Sequence, residues 1–305
     1  MPKRAARAVR RSRAVATSGG GTATGRKPVG LSLHIGLNHV NARQYEGWDD
    51  ALIACEFDAR DMSRIARVRG FTPSVLLTRR ATSAAVTAAM HRAAAVLKRG
   101  DFFFVTYSGH GGQVPDTNGD ELEDKYDETW LLYDREFVDD ELYRLWGRFE
   151  SGVRIFVLSD SCHSGTVVRN KRRARIRASA DTAGELAGRK IKALPLDNQE
   201  EIYRAHRQMY DKIQKANPMG SRAPVGASVI LISGCQDNQT SSDGDRNGLF
   251  TEKLLKVWDG GRFKGGYRKL KLAIGQLMPD DQTPNYMTVG LPNPEFEHQL
   301  PLTIT

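Results

Sequence analysis

Only three cysteines, Cys55, Cys162 and Cys235, occur in the 305 residues. So few thiols, with no CxxC pair, exclude a disulfide scaffold and a cysteine-rich zinc site, and reduced thiols are expected. Nor is there a run of about 18 apolar residues to span a membrane, or an apolar core near the start to make a secretory signal. The first thirty residues lack acids altogether, yet carry Lys3, Arg4, Arg7, Arg10, Arg11, Arg13, Arg26 and Lys27. Removing these eight from the 45 basic residues leaves 37 against 36 acidic ones, so the net charge of +9 belongs to a tail. That tail, residues 1–30, is too poor in large apolar side chains to order itself. Neither it nor the basic run further on interleaves aromatics with its charges, so nucleic-acid binding is not expected. A cytoplasmic protein is expected, an organelle transit peptide being the other reading of an Arg-rich, acid-free start.

What is present, from residue 31 to 305, is one domain's worth of alternating strands and helices. Apolar runs at 31–37, 73–78, 102–107, 129–133, 153–158 and 228–233 read as strands. Helical periodicity over 48–68, 82–98, 139–149, 250–258 and 267–278 separates them. This pattern predicts an α/β fold: an open, mostly parallel sheet of about six or more strands flanked by helices on both faces. Between 166 and 227 the alternation breaks into an insertion that begins with a basic run and reads as flexible. Within it Ile202, His206, Met209 and Ile213 share a helical face, and Asp197 with Glu200 could form a capping box.

Two strings after buried strands carry the chemistry. Tyr107-Ser108-Gly109-His110-Gly111 leaves one strand and Asp160-Ser161-Cys162-His163-Ser164-Gly165 leaves another. Open α/β sheets build active sites at such carboxyl ends. A cysteine nucleophile there needs a base, and His110 fits that role. His163 is less suited, because neighbours in an extended segment point to opposite sides. The N–H groups of Gly111 and Cys162 are the candidates for an oxyanion hole. Cys162 could instead be a buried packing residue, and a phosphatase loop is the rival chemistry. That loop needs an arginine six positions after its cysteine, whereas Arg169 is seven after Cys162.

These strings, with Ser233-Gly234-Cys235-Gln236-Asp237-Asn238-Gln239-Thr240 and Asn247-Gly248-Leu249-Phe250-Thr251, resemble the metacaspases, caspase-like cysteine peptidases. The resemblance implies a caspase-like sheet, Cys162 as nucleophile, His110 as base, and cleavage of peptide or protein substrates after Arg or Lys. It also implies an acidic pocket for that basic residue, from Asp160, Ser108 and Asp58, the last through Ala54-Cys55-Glu56-Phe57-Asp58. Two carboxylates in a partly dry pocket repel each other unless a cation arrives. A scaffold that keeps the fold without the activity is the alternative from another class, disfavoured because both dyad members are present.

No cofactor is needed for this chemistry. Calcium is a candidate activator: the string from Asp116 to Asp127 lacks the glycine of an EF-hand, but the resemblance implies a site from Asp127, Asp139 and Asp140. There Arg169 replaces an expected acid and would weaken it. The resemblance further implies self-cleavage after basic residues, with Arg169, Lys171, Arg172 and Arg173 as candidates. A monomer is expected.

Overall fold

In the computed structural model, residues 26–119, 125–161, 190–216, 224–235, 242–279 and 282–305 are described. Their centre is a six-stranded sheet: β1 (Gly30–Gly36), β2 (Thr72–Leu77), β3 (Phe102–Ser108), β7 (Arg154–Asp160), β8 (Ser228–Ser233) and β9 (Asn285–Gly290). The order is β2-β1-β3-β7-β8-β9, parallel except for antiparallel β9 at one edge. Every residue of β3 and β7 is buried, as continuous apolar runs covered on both faces require.

Alternate side chains divide the core. Leu33, Ile35, Phe103, Val105, Ile155 and Val157 pack with Val86, Met90 and Ala93 of the helix Ser83–Val96. Phe102, Phe104, Phe156, Leu158 and Ile230 pack on the other face. Their partners there are Met62 and Ala66 of the helix Cys55–Val68, Leu254 of Leu249–Trp258 and Leu270 of Tyr267–Gly275. Beside this body lies a small antiparallel sheet: β4 (Gly111–Pro115), β5 (Tyr126–Leu131) and β6 (Glu136–Val138).

Several expectations need correction. The first helix begins at Cys55 rather than near residue 48, because distant groups cap it. The Asp243 carboxylate accepts from the N–H groups of Ile53 (2.6 Å) and Ala54 (3.2 Å), and Asn38 Oδ1 accepts from Glu56 N (3.1 Å). Folded chain starts before residue 31: Arg26 pairs with Asp101, whose Oδ1 also accepts from Val29 N at 2.7 Å. Residues 1–25 lie outside the described part. The helical segment expected within the insertion does form, as Leu196–Lys215, and its Ile202 and Tyr210 pack with Val40, Tyr45, Val114 and Leu131. Pro195 precedes it with no side-chain cap, so the Asp197–Glu200 capping box does not form. Strands β4, β6 and β9 were not expected: β4 opens on two glycines, β6 has three residues, and β9 is an edge.

Two buried groups give stability opposite pH dependences. Burial lowers His34 to about 3, its ring held by Ser32 Oγ (2.9 Å) and Thr106 Oγ1 (3.0 Å). The unfolded chain therefore takes a proton near pH 6.5 that the fold refuses, and stability falls as pH drops from there toward 4. At about 1.4 kcal/mol per pH unit the loss by pH 4 is about 3 kcal/mol. Burial raises Glu136 to about 7, so its contribution is present below pH 4.5 and lost as pH rises through 7. Thermal melts should show His34→Gln flattening the acid limb and Glu136→Gln raising Tm at pH 8 but not at pH 5. Parallel pH profiles for all three proteins would contradict both assignments.

Candidate active site

Ser108 and Asp160 end adjacent parallel strands in direct register, so both side chains leave the same face of the sheet. Asp58, in the first turn of the helix Cys55–Val68, comes down on them. Ser108 Oγ donates to Asp58 Oδ2 at 2.7 Å, and Asn247 Nδ2 to Asp58 Oδ1 at 2.9 Å. The Gly248 N–H reaches both Asp58 oxygens at 3.2 Å, and Thr251 Oγ1 donates to Asp160 Oδ2 at 2.9 Å. The three residues named from the sequence thus share one buried pocket, walled by the start of the helix Leu249–Trp258.

A lysine of the same chain fills that pocket. Lys192 is fully buried, with Nζ 3.0 Å from Ser108 Oγ, 3.1 Å from Asp160 Oδ2 and 3.4 Å from Asp58 Oδ2. Burial works against its charge, but Asp160 and Asp58 outweigh it and hold the ammonium well above its ordinary pKa. Burial raises Asp58 to about 6, with Lys192 pulling the other way. Gly248 is required here: a Cβ on it would stand 2.3 Å from Lys192 Nζ and 2.4 Å from Asp160 Oδ2.

The backbone around Lys192 is extended and held on both sides. The Lys190 carbonyl accepts from Asp243 N at 2.7 Å, and Ile191 forms an antiparallel bridge with Ser242. The Lys192 carbonyl accepts from Gly111 N at 3.0 Å, and Leu194 N donates to the Gly111 carbonyl at 2.8 Å. Gly111, named as an oxyanion donor, therefore points its N–H at a peptide carbonyl.

His110 stands next to that carbonyl's donor, where the chain turns out of β3. Its carbonyl accepts from Tyr107 Oη at 2.6 Å and from Leu131 N at 3.0 Å. Nε2 lies 2.7 Å from the Asp50 carbonyl, and the Trp48 ring meets the imidazole edge-on at 4.8 Å between centroids. A carbonyl can only accept, so Nε2 carries the proton and Nδ1 is left as the basic nitrogen. Burial lowers His110 to about 4, which keeps it neutral at pH 7. Nδ1 is buried and has no partner among the described residues.

Of the cysteines, Cys162 lies outside the described residues, immediately after buried Ser161. His163, Arg169, Lys171, Arg172 and Arg173 also lie outside them. Cys55 and Cys235 are buried; burial pushes the Cys55 thiol up, and Cys235 Sγ donates to the Ser161 carbonyl at 3.2 Å. Both are packing residues in inert surroundings. One oxygen from each of Asp127, Asp139 and Asp140 lies within 4.8 Å of the others, and Asn118 Nδ2 donates to Asp140 at 2.7 Å. This all-oxygen set suits a hard divalent cation.

Sequence reasoning missed Lys192, Asp243, Asn247, Gly248, Thr251 and the Asp50 carbonyl. Asn247 to Thr251 sit in a string already singled out, which was the available signal for three of them. A backbone carbonyl has no signature in sequence.

The caspase-domain profile of the C14 peptidases matches residues 39–294. Metacaspase-1 of Mycosarcoma maydis is 31% identical over 244 residues, 72% of this chain and 59% of that protein. Metacaspase-1A of Aspergillus oryzae is 30% identical over 247 residues, 72% of this chain and 57% of its own length. The chain therefore spans less than two thirds of these relatives. A crystal structure of a Geobacter sulfurreducens protein superposes with a TM-score of 0.79 at 49% identity, covering 91% of this chain and 99% of that one. No described helix is long and apolar enough to cross a membrane. The caspase-domain match over most of the chain, with metacaspases among its relatives, makes this protein a member of the caspase-like cysteine peptidase family.

Proposed function

We propose that this protein is an endopeptidase that cuts after Arg or Lys, with Cys162 as nucleophile and His110 as general base. The observation that carries the specificity is the pocket of Asp58, Ser108 and Asp160 closed around an ammonium group. A neutral or acidic side chain would leave two buried carboxylates facing each other, which costs several kcal/mol. An arginine guanidinium, with more donors in a fixed fork, fits the same acceptors.

In the reaction, His110 Nδ1 takes the thiol proton and the thiolate attacks the carbonyl carbon of the basic residue. The Gly111 N–H, and that of Cys162, stabilise the oxyanion. The Asp50 carbonyl holds the imidazole in the tautomer that can accept and, once protonated, lets Nδ1 pass its proton to the leaving amine. Water then hydrolyses the thioester.

Hydrolysis of short fluorogenic peptides tests the reading. Peptides ending in Arg or Lys should be cut at least a hundredfold faster than the same peptides ending in Asp or Leu. Faster cleavage after Asp would end the proposed specificity.

Calcium activation belongs to the same proposal. Asp127, Asp139 and Asp140 would hold the ion, whose contribution would be to fix the strand β5 and the start of the helix Asp139–Trp146 relative to each other. Calcium should raise the rate, and Asp140→Asn should raise the half-activating calcium concentration at least about tenfold. Equal activity in calcium and in chelator would remove calcium from the mechanism.

A further inference from the structure

The acidic pocket uses one face of the sheet where β3 and β7 end, and the opposite face carries a second polar group that no step of the proposed reaction employs. Tyr107 stands opposite Ser159 in the parallel register, one residue before Ser108 stands opposite Asp160. Successive side chains of a strand point to opposite faces, so Tyr107 and Ser159 lie away from the pocket, on the side of the helix Ser83–Val96. Trp130 of β5 meets both of them. Its indole stacks on the Tyr107 ring, 4.6 Å between centroids and 6° between planes, and its Nε1 donates to Ser159 Oγ at 3.0 Å. Ser159 Oγ is hydrogen-bonded in turn to Ser161 Oγ at 3.0 Å. All four side chains are buried.

These contacts form a strut that starts at the backbone of His110. Tyr107 Oη donates to the His110 carbonyl at 2.6 Å, and the Leu131 N–H meets the same carbonyl at 3.0 Å. Gly109 leaves the hydroxyl its path, since a Cβ there would stand 2.5 Å from Tyr107 Oη. Trp130 itself is paired with Gly111 between β5 and β4. At the other end Ser161 is held twice, through its hydroxyl by Ser159 and through its carbonyl by Cys235 Sγ at 3.2 Å. A tryptophan that only filled the core would need no more than some acceptor for its N–H. This one takes its acceptor from the end of β7 and its stacking partner from the end of β3.

We propose that Trp130 is a positioning residue of this active site: by holding Tyr107 and Ser159 together it fixes the backbone of His110 relative to Ser161. The proposal rests on the peptidase reading, in which His110 is the base, and leaves the choice of substrate to the pocket on the opposite face. A base must lie within hydrogen-bond reach of the proton it takes, and a misplacement of about 1 Å can cost about a hundredfold in rate. The strut touches neither the pocket carboxylates nor the ammonium they hold. Its loss should therefore fall on kcat and leave KM nearly unchanged. Trp146 supplies the comparison, a second buried indole of the same core that packs with Phe149 and, through it, Phe103 near the start of β3.

The test uses the full-length chain, with calcium, as wild type, Trp130→Phe, Ser159→Ala, the double variant and Trp146→Phe. Hydrolysis of a fluorogenic Arg peptide gives kcat and KM, and a thermal melt checks that each variant folds. Trp130→Phe, which keeps an aromatic ring but loses the N–H, should lower kcat at least about thirtyfold, and Ser159→Ala about tenfold, with KM within about threefold of wild type. The double variant should fall no further than Trp130→Phe within about twofold, because both changes remove the same hydrogen bond. Trp146→Phe should keep kcat within about twofold. Should Trp130→Phe fail to fold, Ser159→Ala, which removes one oxygen, decides alone. Single variants with kcat within about twofold of wild type, or with KM rising as kcat falls, overturn the positioning role and leave the peptidase reading standing. Losses that multiply in the double variant, or an equal loss in Trp146→Phe, reduce Trp130 to packing and overturn it as well. A wild type that cuts no Arg or Lys peptide overturns both.

Discussion

If the proposed mechanism holds, replacing Cys162 by Ala should lower hydrolysis of Arg and Lys peptides by a factor of about 10⁴ or more, while Cys55→Ala should leave it within about twofold. The asymmetry follows from surroundings rather than from residue type. Cys55 is buried under the first helix and burial pushes its thiol up, so little thiolate is available. Cys162 comes next in sequence after Ser161, which directly follows β7, the strand paired with the β3 strand that leads to His110. His110→Ala should cost roughly 10³-fold, since the thiol then has no positioned base. The pH profile separates a base from a packing residue. His110 must be neutral to accept, and burial lowers it to about 4, so activity should persist well below pH 6.5 and fall only as Nδ1 is protonated. An acid limb centred at 6.5 would mean a solvated histidine does the work. Full activity in His110→Ala would end the dyad.

Asp160→Asn should lower kcat/KM for Arg and Lys peptides by about a hundredfold or more, with a much smaller effect on any residual cleavage after a neutral residue. Asp160 stands 3.1 Å from the lysine ammonium and is held by Thr251 Oγ1 at 2.9 Å, so an asparagine fits the space but loses the charge. Truncating one member of a buried charge pair costs a few kcal/mol because the other is left uncompensated. The loss should appear in KM as well as kcat, since the pocket binds substrate and transition state alike. Asp58→Asn should act in the same direction but less, because Asp58 lies farther from Nζ, at 3.4 Å, and shares its oxygens with Ser108, Asn247 and Gly248. Equal kcat/KM in wild type and Asp160→Asn would remove the pocket from the specificity.

How much of this could be read beforehand depends on the kind of interaction. His110 was legible because a buried strand followed by a glycine-flanked histidine is a local pattern, whereas Ser108 and Asp160 were named only through the family resemblance. Asp58 by itself reads as an exposed helix charge; the motif around Cys55 promoted it, and the structure places it at 2% exposure. Lys192 was invisible inside a polar insertion, although Ile191, Ala193 and Leu194 around it hint at an extended, partly buried segment. The first helix was drawn seven residues too long because its caps, Asn38 and Asp243, come from elsewhere in the chain.

The sequence alone determined the layered α/β fold and the two strand-end loops, since hydrophobic periodicity and glycine punctuation are local properties of the chain. Tertiary structure decided what meets at those loops: that Asp58, Ser108 and Asp160 close one pocket, that the Asp50 carbonyl fixes the imidazole tautomer, and that Lys192 lies in the pocket. These depend on the register between β3 and β7 and on the path of the chain after residue 190, which residues distant in sequence set through burial and paired charge.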